Sequence, residues 1–235
     1  MSDSSAANEE RRIRGVYAER TDAARYSWFS SGQQLMLQGA ARGLIDALRR
    51  AGRSRLDEVR VLEVGCGSGH WLRELVQWGV QPAHLIGIDL IIDRLRDARA
   101  RCASDVRLAA ASAAALPFAS GTFDIVLQST VLTSVLDATV RARIAAEMTR
   151  VLRSDGVVLW YDFLVDNPRN RDVRGVDRRE LQRLYPGWQL DVRRITLAPP
   201  LARFLAPRMW TVAAVLSAIP FLCTHYAGTL RRMAR

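Results

Sequence analysis

The chain of 235 residues has no lysine, three histidines, three cysteines and no long apolar run. Its 34 basic residues are all arginine, a bias expected of a GC-rich bacterial coding sequence. Cys66, Cys102 and Cys223 show no C-x-x-C spacing and cannot all pair, which argues against a disulfide scaffold and a metal cluster and points to reduced thiols in the cytoplasm. The first residues, MSDSSAANEERR, lack the apolar stretch of a secretory signal. The longest apolar run, Met209 to Cys223, is interrupted by Pro220 and falls short of the roughly 20 residues a membrane-spanning helix needs. What remains is enough chain for one well-buried α/β domain with decorations. The net charge of +10 favours anionic partners, but no separate RNA-binding module is visible, so nucleic acid is not expected.

One stretch organises the rest. In RVLEVGCGSGHW, from Arg60 to Trp71, the run Val61, Leu62 and Val64 has the apolar character of a buried parallel strand. Glycines follow at alternate positions, Gly65, Gly67 and Gly69. Such a turn permits left-handed backbone angles and a close ligand, and a helix opening near Gly69 aims free N–H groups at that ligand. The pattern G-x-G-x-G alone is weak. It is strengthened by a second apolar strand, Leu85 to Ile88, that ends at Asp89, where a carboxylate can accept both hydroxyls of a ribose.

With VLEVGCGSG, GIDL, LPFASGTFDIVL and EMTRVLRSDGVVLWYDF in that order, residues 56 to 163 resemble the class I S-adenosylmethionine-dependent methyltransferases, in particular the broad group that includes the ubiquinone and menaquinone biosynthesis enzymes. The resemblance implies a seven-stranded Rossmann-like sheet of order 3-2-1-4-5-7-6 with strand 7 antiparallel. It also implies S-adenosylmethionine as cofactor, held by Glu63, Gly65, Cys66, Gly67, Gly69, Asp89, Leu90, Ser112, Ala113 and Gln128. Where the family usually has an acid after the third strand, this chain has Ser112, whose hydroxyl meets the adenine amine without charge. The fourth strand leads into Gln128, Ser129, Thr130 and Val131 in place of the Pro-Pro-aromatic turn of many amine methyltransferases, which favours oxygen or carbon acceptors.

Residues 1–10 read as a disordered tail, 11–55 as an N-terminal cap, 56–163 as the cofactor-binding core and 164–235 as the substrate-side half of a single domain. Tyr17, Tyr26 and Trp28 of the cap are expected at the acceptor, with Ser129, Thr130, Tyr161 and Arg174. Asp162, at the end of the fifth strand, is the candidate general base, because a carboxylate withdrawn from water has its pKa raised towards neutrality. The apolar helical insertion 199–220 between strands 6 and 7 leaves the sheet on the ligand side. It is expected to pack with the N-terminal segment as a lid, with a homodimer face and a peripheral membrane contact as the competing roles. The function that follows is methyl transfer to a small-molecule acceptor, foremost O-methylation of a small-molecule or glycan-type metabolite. The alternatives are C- or O-methylation of a lipid-like or prenylated acceptor, and a non-catalytic S-adenosylmethionine-binding protein.

Overall fold

The computed structural model describes residues 2–19, 27–168 and 170–233. Seven strands, β1 (Val61–Val64), β2 (Leu85–Asp89), β3 (Arg107–Ala110), β4 (Phe123–Ser129), β5 (Leu152–Phe163), β6 (Trp188–Leu197) and β7 (Cys223–Arg232), form one sheet of order β3-β2-β1-β4-β5-β7-β6. The first five are parallel and β7 is antiparallel to both β5 and β6, as expected. The parallel strands are apolar on both faces because helices cover both.

Alternation along the strands divides the core into two layers. On one face Leu62, Val64, Val126, Val158 and Trp160 pack against helices α5 (Ala138–Val151) and α6 (Arg178–Leu184), through Ile144, Met148 and Leu181 among others. On the other, Val61, Ile125, Leu127, Leu159 and Tyr161 meet α2 (Ser31–Arg50), α3 (His70–Gln77) and α4 (Ile92–Arg101). Local signals set the helix ends. Ser30 accepts from the Gln33 N–H at the start of α2, Asp137 accepts from Thr139 and Val140 at the start of α5, and Gly79 beyond α3 takes a φ of 105°.

Three expectations are corrected. The tail expected to be disordered is helical: α1 runs over Ser2–Ala18. Its composition does not explain this, but its tertiary contacts do. The Ser5 hydroxyl donates to the Asp137 carboxylate at 2.5 Å, Arg12 donates to the Ser134 carbonyl at 2.5 Å, and the Leu136 N–H donates to Glu9 at 2.5 Å. Secondly, Asp155-Gly156, which reads in the sequence as a turn between a helix and a fifth strand starting at Val157, does not precede that strand. It lies inside β5, where the pairing with β4 shifts register between Phe123 and Ile125.

The third concerns the insertion, which forms α7 (Pro199–Leu205) and α8 (Trp210–Leu216). These helices exit at the ligand side, as the direction of β6 requires, but then turn back onto α2. Leu35 of α2 packs in one small cluster with Leu197, Ala202, Ala206 and Ala213. The insertion thus packs on the N-terminal cap through α2, as expected, but no residue of α7 or α8 lines the cleft, so they are not its lid; α1 occupies that place.

Candidate active site

The cleft opens at the carboxyl ends of β1, β2, β3 and β4, the position expected of a ligand site in a parallel sheet. Gly65, the first residue of the glycine turn, lines its floor. Gly65, Gly67 and Gly69 all have positive φ, 70°, 52° and 75°. At Gly65 a Cβ would lie 2.5 Å from Val131 Cγ2, and at Gly69 one would lie 2.5 Å from Cys102 Sγ. Neither position accepts another residue without moving a neighbour. Asp89 holds the turn: one carboxylate oxygen accepts from the Gly67 N–H at 2.8 Å and the other from the Ile91 N–H at 2.9 Å. The same side chain lines the cleft and keeps unused lone pairs for ligand hydroxyls.

Glu63 lies beneath this turn on the α3 face of the sheet, 1% exposed. Burial first, and then the charge of Asp89, push its carboxyl well above the usual range, and its Oε2 has no partner among the described residues. A ligand ammonium would supply the missing donor and the missing charge. That orphaned acceptor and the bare turn fit the amino acid end of S-adenosylmethionine. Cys66 is buried under the turn, where burial raises its thiol, and is not part of the cleft wall.

Further out, Leu90, Ile91, Ser112, Ala113 and Ala114 line the β2–β3 end of the cleft. The Ser112 hydroxyl accepts from the Ala114 N–H at 3.1 Å, which steadies the loop after β3. Ser129 and Thr130 line the other end, at the tip of β4. Thr130 has a φ of 55°, costly for a β-branched residue, and backbone strain of this kind tends to persist where function requires it. Its N–H donates to the Tyr161 carbonyl at 2.9 Å. Gln128 is fully buried, and its Oε1 accepts from the Val131 N–H at 3.2 Å; it shapes the strand tip from below and does not reach the cleft.

The roof is α1. Glu9, Glu10, Ile13 and Tyr17 face the cleft, and none but Tyr17 was singled out from the sequence. The signal was present in Ala6, Ile13 and Tyr17 at helical spacing, masked by the polar residues between them. Tyr17 donates to or accepts from the Ser134 hydroxyl at 3.3 Å, and the Arg94 guanidinium lies 4.4 Å from its ring centre.

The other acceptor-side residues diverge. Tyr26 lies outside the described residues. Trp28 is half exposed, its ring 5.8 Å from His70, away from the cleft wall. Tyr161 points to the α3 face, bonded to the Thr196 hydroxyl at 3.1 Å and stacked on His225. Arg174 lines a separate polar recess with Asp166, Asp177 and Glu180, and its N–H donates to the Thr133 carbonyl.

Asp162 is corrected most. Alternation turns it to the face opposite Tyr161, where it is fully buried and accepts from the Thr133 hydroxyl, from the Thr133 N–H at 3.2 Å and from the Phe163 N–H at 2.9 Å. Burial raises its pKa to about 6, as the sequence suggested, but no face of it meets the cleft. It fixes the segment that carries Ser134. Arg141, also fully buried, works beside it by donating to the carbonyls of Val135 at 2.6 Å and Arg174 at 2.8 Å.

Residues 61–156 match the profile of a family described as a methyltransferase domain. A demethylmenaquinone methyltransferase of Roseiflexus castenholzii is 30% identical over 153 residues, 63% of this chain and 62% of that protein. An uncharacterized protein of Haemophilus influenzae is 32% identical over 112 residues, 45% of this chain and 43% of the relative. The matches thus span less than two thirds of either curated relative. Among solved structures, an S-adenosylmethionine-dependent methyltransferase from Mesorhizobium loti superposes with a TM-score of 0.60 at 18% identity, covering 83% of this chain and all of that one. The cyclase SpnF does so with the same TM-score and identity, covering 84% and 82%. These superpositions establish the fold. A methyltransferase-domain match that starts at the first residue of β1 and ends inside β5, on a sheet of this order, makes residues 61–156 similar in sequence, and the whole sheet similar in fold, to the class I S-adenosylmethionine-dependent methyltransferases.

Proposed function

We propose that this chain transfers the methyl group of S-adenosylmethionine to an oxygen of a small-molecule or glycan-type metabolite. The observation that carries the reading is the reacting end of the cleft, where Ser129, Thr130 and Ser134 present hydroxyls beside the glycine turn, without the carbonyl-based clamp that holds an amine. Gly65 and Gly69 admit the amino acid portion, Glu63 accepts from its ammonium, Asp89 accepts from the ribose hydroxyls, and Leu90, Ser112 and Ala113 border the base. The bound cofactor supplies a methyl carbon made electrophilic by its sulfonium. The chain's task is then to align the acceptor oxygen in line with that carbon and to exclude water, and orientation of this kind is worth roughly 7 to 11 kcal/mol of barrier. The acceptor's proton leaves as the carbon–oxygen bond forms, and the hydroxyls at the tip of β4 can pass it to water.

A second reading, C- or O-methylation of a lipid-like acceptor, is supported by the apolar surface of α7 and α8 and by the quinone chemistry in the Roseiflexus relative's name. A third, a protein that binds the cofactor without methyl transfer, takes support from the cyclase that shares the fold. One experiment separates them. The protein is first titrated with S-adenosylhomocysteine by calorimetry, then incubated with methyl-labelled S-adenosylmethionine and a fractionated metabolite extract. Label in water-soluble methyl ethers or esters is the expected result; label confined to the organic phase selects the lipid reading, and binding without label in either phase selects the third.

A further inference from the structure

The surface of α7, α8 and the turn before α2 inverts the usual pattern of a helical decoration. The fully buried residues here are small, Ala202, Ala206 and Ala213, with Leu205 and Leu216 packed partly against them, whereas Leu201, Phe204, Trp210, Val212 and Val215 are exposed. Phe204 is 59% exposed, Val215 62% and Phe221, just after α8, 76%. The turn 27–30 extends the same surface with Phe29, 99% exposed: Gly32, at the start of α2, packs so closely on α7 that a Cβ there would lie 2.8 Å from Arg203 Cα. Scattered exposed apolar residues need no explanation, but this many large ones on two short helices and the turns beside them do.

The charge around the patch selects the occupant. After Asp191 the sequence contains no acidic residue, while Arg193, Arg194, Arg203 and Arg208 all fall between there and α8. Arg208 is exposed and lies 4.8 Å over the Phe204 ring, so a cation and an aromatic wedge share one spot. A second copy of the chain would bring two arginine-bearing faces together with no carboxylate from this segment to meet them. An anionic lipid surface offers both what the rings need and what the arginines need.

We infer that the α7–α8 face and the Phe29 turn dock this protein on an anionic lipid bilayer as a shallow, interfacial contact. Among the described residues no helix is long and apolar enough to cross a membrane, so the contact is to one leaflet only. The contact does not depend on methyl transfer and holds whichever acceptor is used.

Sedimentation of the full chain with phosphatidylcholine vesicles, with and without phosphatidylglycerol, tests this. The chain should pellet with the phosphatidylglycerol vesicles and stay in solution with the others, and binding should weaken as salt rises. Phe204→Ser combined with Phe221→Ser, and separately Arg208→Glu, should each reduce binding roughly tenfold or more. Because these side chains are exposed, both variants should keep the parent's melting temperature and S-adenosylhomocysteine affinity. Equal pelleting with both vesicle types, unchanged binding in the variants, or no pelleting at all would overturn the inference. So would a concentration-dependent dimer in analytical ultracentrifugation that Phe204→Ser dissolves, which would assign the face to a second copy.

Discussion

Asp89 carries two tasks at one position. It accepts two backbone N–H groups that hold the glycine turn and the start of the loop after β2, and it borders the cleft where a ribose would lie. Hydrogen bonds to a charged group contribute about 1.5 to 3 kcal/mol. Asp89→Ala is therefore expected to weaken S-adenosylhomocysteine binding by at least about tenfold, measured by calorimetry. Asp89→Asn should lie between the two, because an amide still accepts through one oxygen; equal affinities in all three would remove Asp89 from the site. This position was legible in the sequence because an acid at the end of a strand, following an apolar run, has few structural roles. Asp162 has the same sequence signature and a different fate. What distinguishes them is which face of the sheet the residue meets and what packs there, Thr133 and Arg141 in this case, and single-sequence periodicity does not report the partner.

At the scale of elements, the parallel strands and the glycine turn followed from the sequence, since each is set by local chemistry, alternation in one case and φ angle in the other. Helix α1 did not follow, because its stability is tertiary. Its central anchor is Glu9, 8% exposed, which accepts two bonds from Arg12, at 3.1 and 2.8 Å, and one from the Leu136 N–H. The Leu136 bond, the Arg12 side chain and burial act together, and the bonds win over burial, holding the Glu9 carboxyl below its usual range. Glu9→Ala removes both the tie to the 134–137 segment and the brace on Arg12. We expect faster dissociation of S-adenosylhomocysteine in stopped flow, and faster amide exchange in α1 and in residues 133–137 with the sheet unchanged. Exchange protection retained in α1 would mean that Ile13 and Tyr17 packing suffices to keep the roof closed. Insertion helices α7 and α8 were legible as helices, but their docking on α2 was not, because it rests on alanines whose partners are remote in sequence.

Over the whole molecule, two buried imidazoles and two buried carboxyls pull stability in opposite directions as pH changes. Burial lowers His225 to about 3 and, with help from Arg73, His70 to about 4; burial raises Asp162 to about 6 and Glu63 well above its usual value. The signs oppose. A histidine with a depressed folded pKa contributes stability that is present above about 6.5 and lost as pH falls, since the unfolded chain takes up a proton the folded one refuses. A carboxyl with a raised folded pKa contributes stability that is present below about 4 and lost as pH rises through its folded value, since here the folded state binds the proton more tightly. Between roughly pH 4.5 and 6 the two histidines add up to about two protons to the unfolded side, and the two carboxyls return nearly as many to the folded side. Stability should be nearly flat there, even though each group alone would tilt it by about 1.4 kcal/mol per pH unit. Removing one member exposes the tilt. His225→Phe, which keeps a ring against Tyr161 and Phe163, should give a melting temperature that falls as pH rises from 4.5 to 6. Asp162→Asn should give one that rises over the same range, and the double variant should return close to the parent's flat profile, because the two sites titrate on opposite faces of β5. Scanning calorimetry across that range decides it: three parallel profiles would mean that neither group changes its protonation on folding.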